Sequence, residues 1–147
     1  MHFGERFAEG YKQLQRITLQ TGTAEVDGST WVDIGTFRRF VAKASVGTIV
    51  ATGTFDFRVR QAKDASGTGA KALIAATQLP DTGDDKDIWL EFKAEDLDVK
   101  NGFHFVRLEC VPATANVTFF AELLAFIAEY QPVTQPANVV ATYLVAS

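Results

Sequence analysis

The feature that most constrains this chain is a side-chain period of two. Over residues 54–60, Phe55, Phe57 and Val59 alternate with Thr54, Asp56, Arg58 and Arg60. Only an extended backbone sends successive side chains to opposite faces, so the segment reads as a half-buried strand, apolar inward and polar outward. The alternation recurs at Phe40, Ala42, Ala44 and Val46, and at Ile88, Leu90 and Phe92 against Trp89, Glu91 and Lys93. It recurs again at His104, Val106, Leu108 and Cys110 against Phe105, Arg107 and Glu109. Residues 31–34 are a further short strand candidate and residues 72–79 a weaker, Ala-rich one. Turn residues punctuate these runs: Thr21-Gly22-Thr23, Asp27-Gly28-Ser29, residues 64–69 (D-A-S-G-T-G), residues 80–86 (P-D-T-G-D-D-K) and Lys100-Asn101-Gly102. Gly47 and Gly53 bracket a linker or bulge, and Pro112 ends its strand or sits at an edge.

Residues 115–127 are apolar on both faces. A strand covered on both sides is the preferred reading, because Val117-Thr118-Phe119-Phe120 is β-branched and aromatic; residues 123–128 remain open to a helix. At the other end, Phe3, Phe7, Tyr11 and Leu14 recur at helical spacing, so a short helix is expected there, passing to a strand beyond Leu14. The spacing of seven or eight strands predicts an all-β fold: an antiparallel β-sandwich, jelly-roll-like, with extended terminal arms. We divide it into an N-terminal arm and first strand (1–29), a sandwich core (30–129) and a C-terminal arm (130–147). Its 147 residues suit one domain, and its 12 Phe supply large apolar side chains for a core.

Function classes can be narrowed. The net charge is −4 with the signs mixed, so no basic stripe offers a nucleic-acid footprint. No run approaches the roughly 20 apolar residues of a membrane-spanning helix. The one cysteine, Cys110, reads as a buried thiol. Two histidines, His2 and His104, do not make a zinc set with it, and no catalytic or cofactor-binding motif occurs. Residues 96–102 (D-L-D-V-K-N-G) resemble a calcium loop but carry Lys100 and Arg107 where ligands belong, so a polar turn is expected. Asp81, Asp84, Asp85 and Asp87 read as a solvated loop. Neither a catalytic site, nor a cofactor, nor a bound metal is therefore expected. Arg38 and Arg39, with Arg58 and Arg60 if their strands are neighbours, could pair with carboxylates of another subunit.

Several segments taken in order resemble a known group. They are Phe37-Arg38-Arg39-Phe40, Val46-Gly47-Thr48, residues 53–61, residues 64–71, Thr77-Gln78-Leu79, residues 88–92 and residues 103–108. Together, over about residues 35–130, they resemble small structural proteins of tailed bacteriophages and prophages, of the decoration or cement kind. The resemblance implies a virion component, assembled in the host cytoplasm, that binds the major capsid protein and copies of itself, commonly as a trimer bridging capsomers. The apolar ends suit such a clamp: Phe3, Phe7 and Tyr11 at one, and Val139, Val140, Tyr143 and Leu144 at the other, beyond Pro132 and Pro136. With Arg38, Arg39 and Trp89 these form the expected interface. The competing readings are a tail or connector part, a carbohydrate-binding module using Trp31, Trp89 or Tyr11, and a hydrolase using the Asp-rich loop.

Overall fold

A computed structural model of the chain describes residues 10–126 together with 134, 136, 137 and 139. Nine strands lie in this part: β1 (Tyr11–Gly22), β2 (Val26–Asp27), β3 (Val32–Asp33), β4 (Arg39–Ile49), β5 (Thr54–Ala62), β6 (Lys71–Ala75), β7 (Asp87–Lys93), β8 (Phe105–Ala113) and β9 (Val117–Phe126). They form two antiparallel sheets. One has the order β1-β9-β4-β7; the other has β2-β8-β5-β6, with β3 continuing the β2 edge along β8. Consecutive strands mostly cross between sheets, and the first and last strands pair. With β2 and β3 counted as one interrupted strand, this is the eight-stranded, double Greek-key order of a jelly roll.

The period-two positions face inward as expected. Phe40, Phe55, Phe57, Val59, Leu90, Phe92, Val106, Leu108 and Phe119 are buried, and Ile88 packs against them half-buried. Phe55 and Phe119 meet between the sheets with ring centroids 5.3 Å apart, and Phe40 stacks on Phe92 at 5.0 Å. Aromatic pairs at such separations add to what their burial alone contributes.

Several expectations are corrected. Tyr11 and Leu14 lie in β1, not in a helix: pairing with β9 from Tyr11↔Phe126 onward overrides their helical spacing. Phe3 and Phe7 lie outside the described residues. The helical alternative for residues 123–126 is also excluded, because β9 stays paired on both sides up to Phe126. Residues 71–75 alone form β6, after which Leu79 makes an isolated bridge to Phe55. Pro112, by contrast, fits the edge option: it is the penultimate residue of β8, and the described pairing on the side away from β5 stops at Cys110. Phe55 exchanges both backbone hydrogen bonds with Leu79 (2.9 and 3.0 Å), so its pairing with Pro112 on the opposite side requires no proline N–H. Gly47 lies within β4, at a register shift between Val46 and Ile49, which is the bulge option.

A buried glutamine closes the gap between β2 and β3. Gln15 enters the interior from β1 at a bulge; its Oε1 accepts the Leu108 N–H at 2.8 Å and its Nε2 donates to Thr30 O at 2.5 Å. Gly28 leaves room for this amide, since a Cβ there would lie 1.9 Å from Gln15 Oε1.

Candidate functional site

The two outer faces of the sandwich differ in chemistry. On the five-stranded sheet, Glu109 points outward from β8 yet is only 1% exposed, because arginines roof it. Arg58 Nε donates to Glu109 Oε1 at 2.8 Å, Arg107 Nη2 lies 3.2 Å from Oε2, and Arg60 Nη1 is 3.8 Å away. The register places Arg58 directly opposite Glu109 on one side and Asp27 on the other. Arg107 also pairs with Asp27 at 3.2 Å and lies 4.6 Å from the Trp31 ring. Glu25 completes a trio of carboxylates with Asp27 and Glu109 whose oxygens lie within 4.8 Å of one another. The carboxyl of Glu25 is held above its ordinary range, first by a hydrogen bond with Asp27, then by desolvation and by the charges of Asp27 and Glu109, against Arg58. Three guanidinium groups already occupy Glu109, so the cluster works as a structural ion-pair net and is ill-suited to a cation.

The four-stranded sheet turns a different face outward. Cross-strand register sets Tyr11, Phe126 and Arg39 in one row, Gln13, Leu124, Val41 and Glu91 in the next, then Arg16, Glu122, Lys43 and Trp89. Tyr11 and Phe126 rings are 5.4 Å apart. Trp89 is 61% exposed, with the Lys43 ammonium 5.1 Å from its ring. Lys43 also reaches Glu122 at 4.0 Å, and Gln13 donates to Glu122 at 3.1 Å, so the central charges of this face answer one another. Around them Val41, Phe120, Leu124 and Phe126 are half-buried.

Among the expected interface residues, Tyr11, Arg39 and Trp89 share this face, and Arg38 is exposed beside it, in a shallow groove with Arg39, Lys93, Ala94 and Glu95. Arg58 and Arg60 do not join Arg38 and Arg39: they lie on the opposite outer face, paired within the chain. Val139 is half-buried and donates its N–H to Pro136 O at 3.0 Å, closing a turn. Phe3, Phe7, Val140, Tyr143 and Leu144 lie outside the described residues. Val41, Phe120, Leu124 and Phe126 escaped the interface expectation. Their signal in the sequence is the two-faced apolarity of residues 115–127, which by itself reads as interior packing.

The remaining candidates have structural roles. Asp84 accepts the Ile49 N–H at 2.7 Å and Asp81 the Thr52 N–H at 2.8 Å, so the acidic loop ties down the β4–β5 turn. Asp98 accepts from Asn101 and pairs with Lys71, contacts that hold its carboxyl below the ordinary range, Lys71 foremost. Cys110 is buried, and desolvation pushes its thiol pKa up, away from the thiolate. Trp31 is half-buried beside Arg107 rather than a free platform.

Fold and surfaces define a jelly-roll domain with one outer face knit by arginine–carboxylate pairs and another that mixes apolar and charged side chains. The chain is similar in structure to a chain of infectious bursal disease virus, Gt strain: TM-score 0.55, 11% identity, over 84% of this chain and 33% of that one. A chain of the Gx strain of that virus gives TM-score 0.48 and 10% identity, over 83% and 33%. The protein thus spans about a third of the length of those viral chains. No family model matches the sequence, and no curated protein resembles it in sequence.

Proposed function

We propose that this protein is a structural component of a virion, a capsid decoration protein of a tailed bacteriophage that binds the major capsid protein and copies of itself and braces the head across capsomers. The observation that carries the reading is the strand order β1-β9-β4-β7 over β2-β8-β5-β6, a jelly roll of the kind found in viral shells and shared here with a chain of a virus. A non-catalytic role fits the chemistry. The carboxylate of Glu109 on the five-stranded sheet is taken up by arginines, while the opposite sheet sets half-buried Val41, Phe120, Leu124 and Phe126 among charged side chains, with Trp89 exposed on its edge strand. Bracing a shell requires buried contact area, and apolar burial contributes roughly 25 cal/mol per Å2 before ordering costs are subtracted. Trimeric assembly and placement on the head follow from the sequence resemblance.

Immunogold labelling and quantitative mass spectrometry of purified virions test this. The expected result is label on heads at a copy number comparable to that of capsomers. Label confined to tails would transfer the protein to the tail or connector, and its absence from particles would refute the reading. Trp89 supports one rival, a carbohydrate-binding module, since an exposed indole can stack on a sugar ring. A glycan array with binding lost in Trp89→Ala would favour that rival.

A further inference from the structure

The chain has three asparagines, Asn101, Asn116 and Asn138, and only Asn101 precedes a glycine. We propose that Asn101–Gly102 is a self-modification site, at which the Gly102 nitrogen displaces the Asn101 side-chain amide, and that the Asp98 carboxylate holds this amide back until the turn opens. The proposal goes beyond the virion reading and does not rest on it.

The reaction needs an unshielded backbone nitrogen. The nitrogen that follows an asparagine can attack its Cγ and close a five-membered succinimide. A side chain on the following residue obstructs that approach, and glycine has none. A Cβ built on Gly102 would meet no atom within 4 Å, and Asn101 is exposed, so the approach is open. The Gly102 N–Cγ bond forms, the Cγ–Nδ2 bond breaks, and the Gly102 proton departs with the amide as ammonia. Water then opens the ring at either carbonyl, leaving aspartate or isoaspartate at position 101. Solvent is the only co-reactant. Asn116 precedes Val117, whose branched and buried side chain hinders the same attack.

The folded turn opposes the reaction. Val99–Asn101 form a 3-10 turn, closed by the Gly102 N–H on Val99 O at 3.0 Å. Ring closure swings ψ of Asn101 far from the 3-10 range of roughly −20 to −30°, so that hydrogen bond must break first. The Asn101 Nδ2 donates to both Asp98 oxygens at 2.9 Å, which fixes the leaving amide. Asp98 is itself anchored. Its N–H donates to Gln61 Oε1 on β5 at 2.8 Å, and its carboxylate pairs with Lys71 on β6. Its carbonyl accepts the Asn101 and Phe103 N–H groups at 3.0 and 3.1 Å. Asp98 is therefore a positioning residue that sets when Asn101 reacts. Its part reverses afterwards: a carboxylate formed at position 101 faces the Asp98 carboxylate where the amide had donated, and the like charges repel. The modification thus loosens the β7–β8 connection from β5 and β6.

Incubation of the full-length protein in mildly alkaline buffer, native and in urea, tests this. Peptide-mapping mass spectrometry follows amide-to-acid conversion at each asparagine, and electron-transfer fragmentation separates aspartate from isoaspartate. Conversion is expected at Asn101 well ahead of Asn116, with both products formed, and more slowly in the native protein than in urea. Asp98→Ala should speed native conversion at Asn101 about tenfold, the net effect of losing one charge-assisted hydrogen bond, with the rate in urea unchanged. Asn116 should keep its wild-type rate, which separates a released turn from a generally loosened domain. Asp98→Asn retains one acceptor and should give an intermediate rate; it replaces Asp98→Ala should the latter fail to fold. Asn101→Asp mimics one product. Its thermal midpoint should lie roughly 3–6 °C below that of Asn101→Ala, with faster amide exchange at Asp98 and Phe103. Conversion at Asn101 no faster than at Asn116 in urea overturns the site. A native rate equal to that in urea, or one unchanged by Asp98→Ala, overturns the restraint. An Asn101→Asp midpoint at or above that of Asn101→Ala overturns the loosening.

Discussion

Removing the Gln15 amide, or the space that admits it, should have the same cost. Gln15→Ala leaves the Leu108 N–H without an acceptor inside the sandwich, where an unpaired buried donor costs about 1–3 kcal/mol. Thr30 is exposed, so its carbonyl can turn to water and adds little. With the lost packing of the side-chain methylenes, the expected loss is about 3 kcal/mol, or roughly 6–12 °C in Tm for a domain of this size. Gly28→Ala puts a Cβ 1.9 Å from Gln15 Oε1 and so evicts the amide, removing the same hydrogen bonds. In the double variant, the methyl group added at position 28 occupies space that the Gln15 amide has vacated, and the second substitution is nearly free. Urea denaturation of the four proteins should therefore give a coupling energy of about 2–3 kcal/mol, far from additive. Additive losses, or a Gln15→Ala loss below about 1 kcal/mol, would refute the account of Gln15 as the bridge across the β2–β3 gap.

Four further outcomes are expected. Glu109→Ala strands Arg58 and Arg107, but these are 37% and 23% exposed and can rehydrate, so the loss in urea denaturation should be about 2–3 kcal/mol, below that of a fully buried pair. Glu25, whose carboxyl is raised in the folded state, favours folding while protonated and loses that contribution as pH rises through its folded-state pKa. Glu25→Gln should accordingly be more stable than wild type at pH 7 and indistinguishable from it near pH 4, as read by thermal midpoints. Asp98 has the opposite sign: its lowered pKa stabilises the fold above the ordinary carboxylate range and is lost as pH falls through the folded-state value, so Asp98→Asn should flatten the acid limb of the stability profile. Cys110 should resist a disulfide-exchange reagent in the native protein and react as one thiol per chain in urea.

Alternation by itself determined which side chains fill the interior. Phe40, Phe55, Phe57, Leu90, Val106 and Leu108 stand at every second position, and a strand has no other way to bury them, so the all-β sandwich was legible without coordinates. Pairing was not legible, because period two says nothing about which strand lies beside which. Only the sheet order joined β1 to β9, and that contact turned Tyr11 and Leu14 from a helical pattern into a strand. The same step separated Arg38 and Arg39 from Arg58 and Arg60, setting them on opposite faces of the sandwich. It also buried Glu109, a residue the alternation places outward, since burial of an outward side chain depends on what neighbouring strands lay over it: here Arg58 from β5 and Asp27 from β2. The mixed apolar and charged outer face of the four-stranded sheet arose likewise. Val41, Leu124 and Trp89 are far apart in the chain and become one surface only through the register of β4 with β7 and β9, a choice made by the packed sheet as a whole.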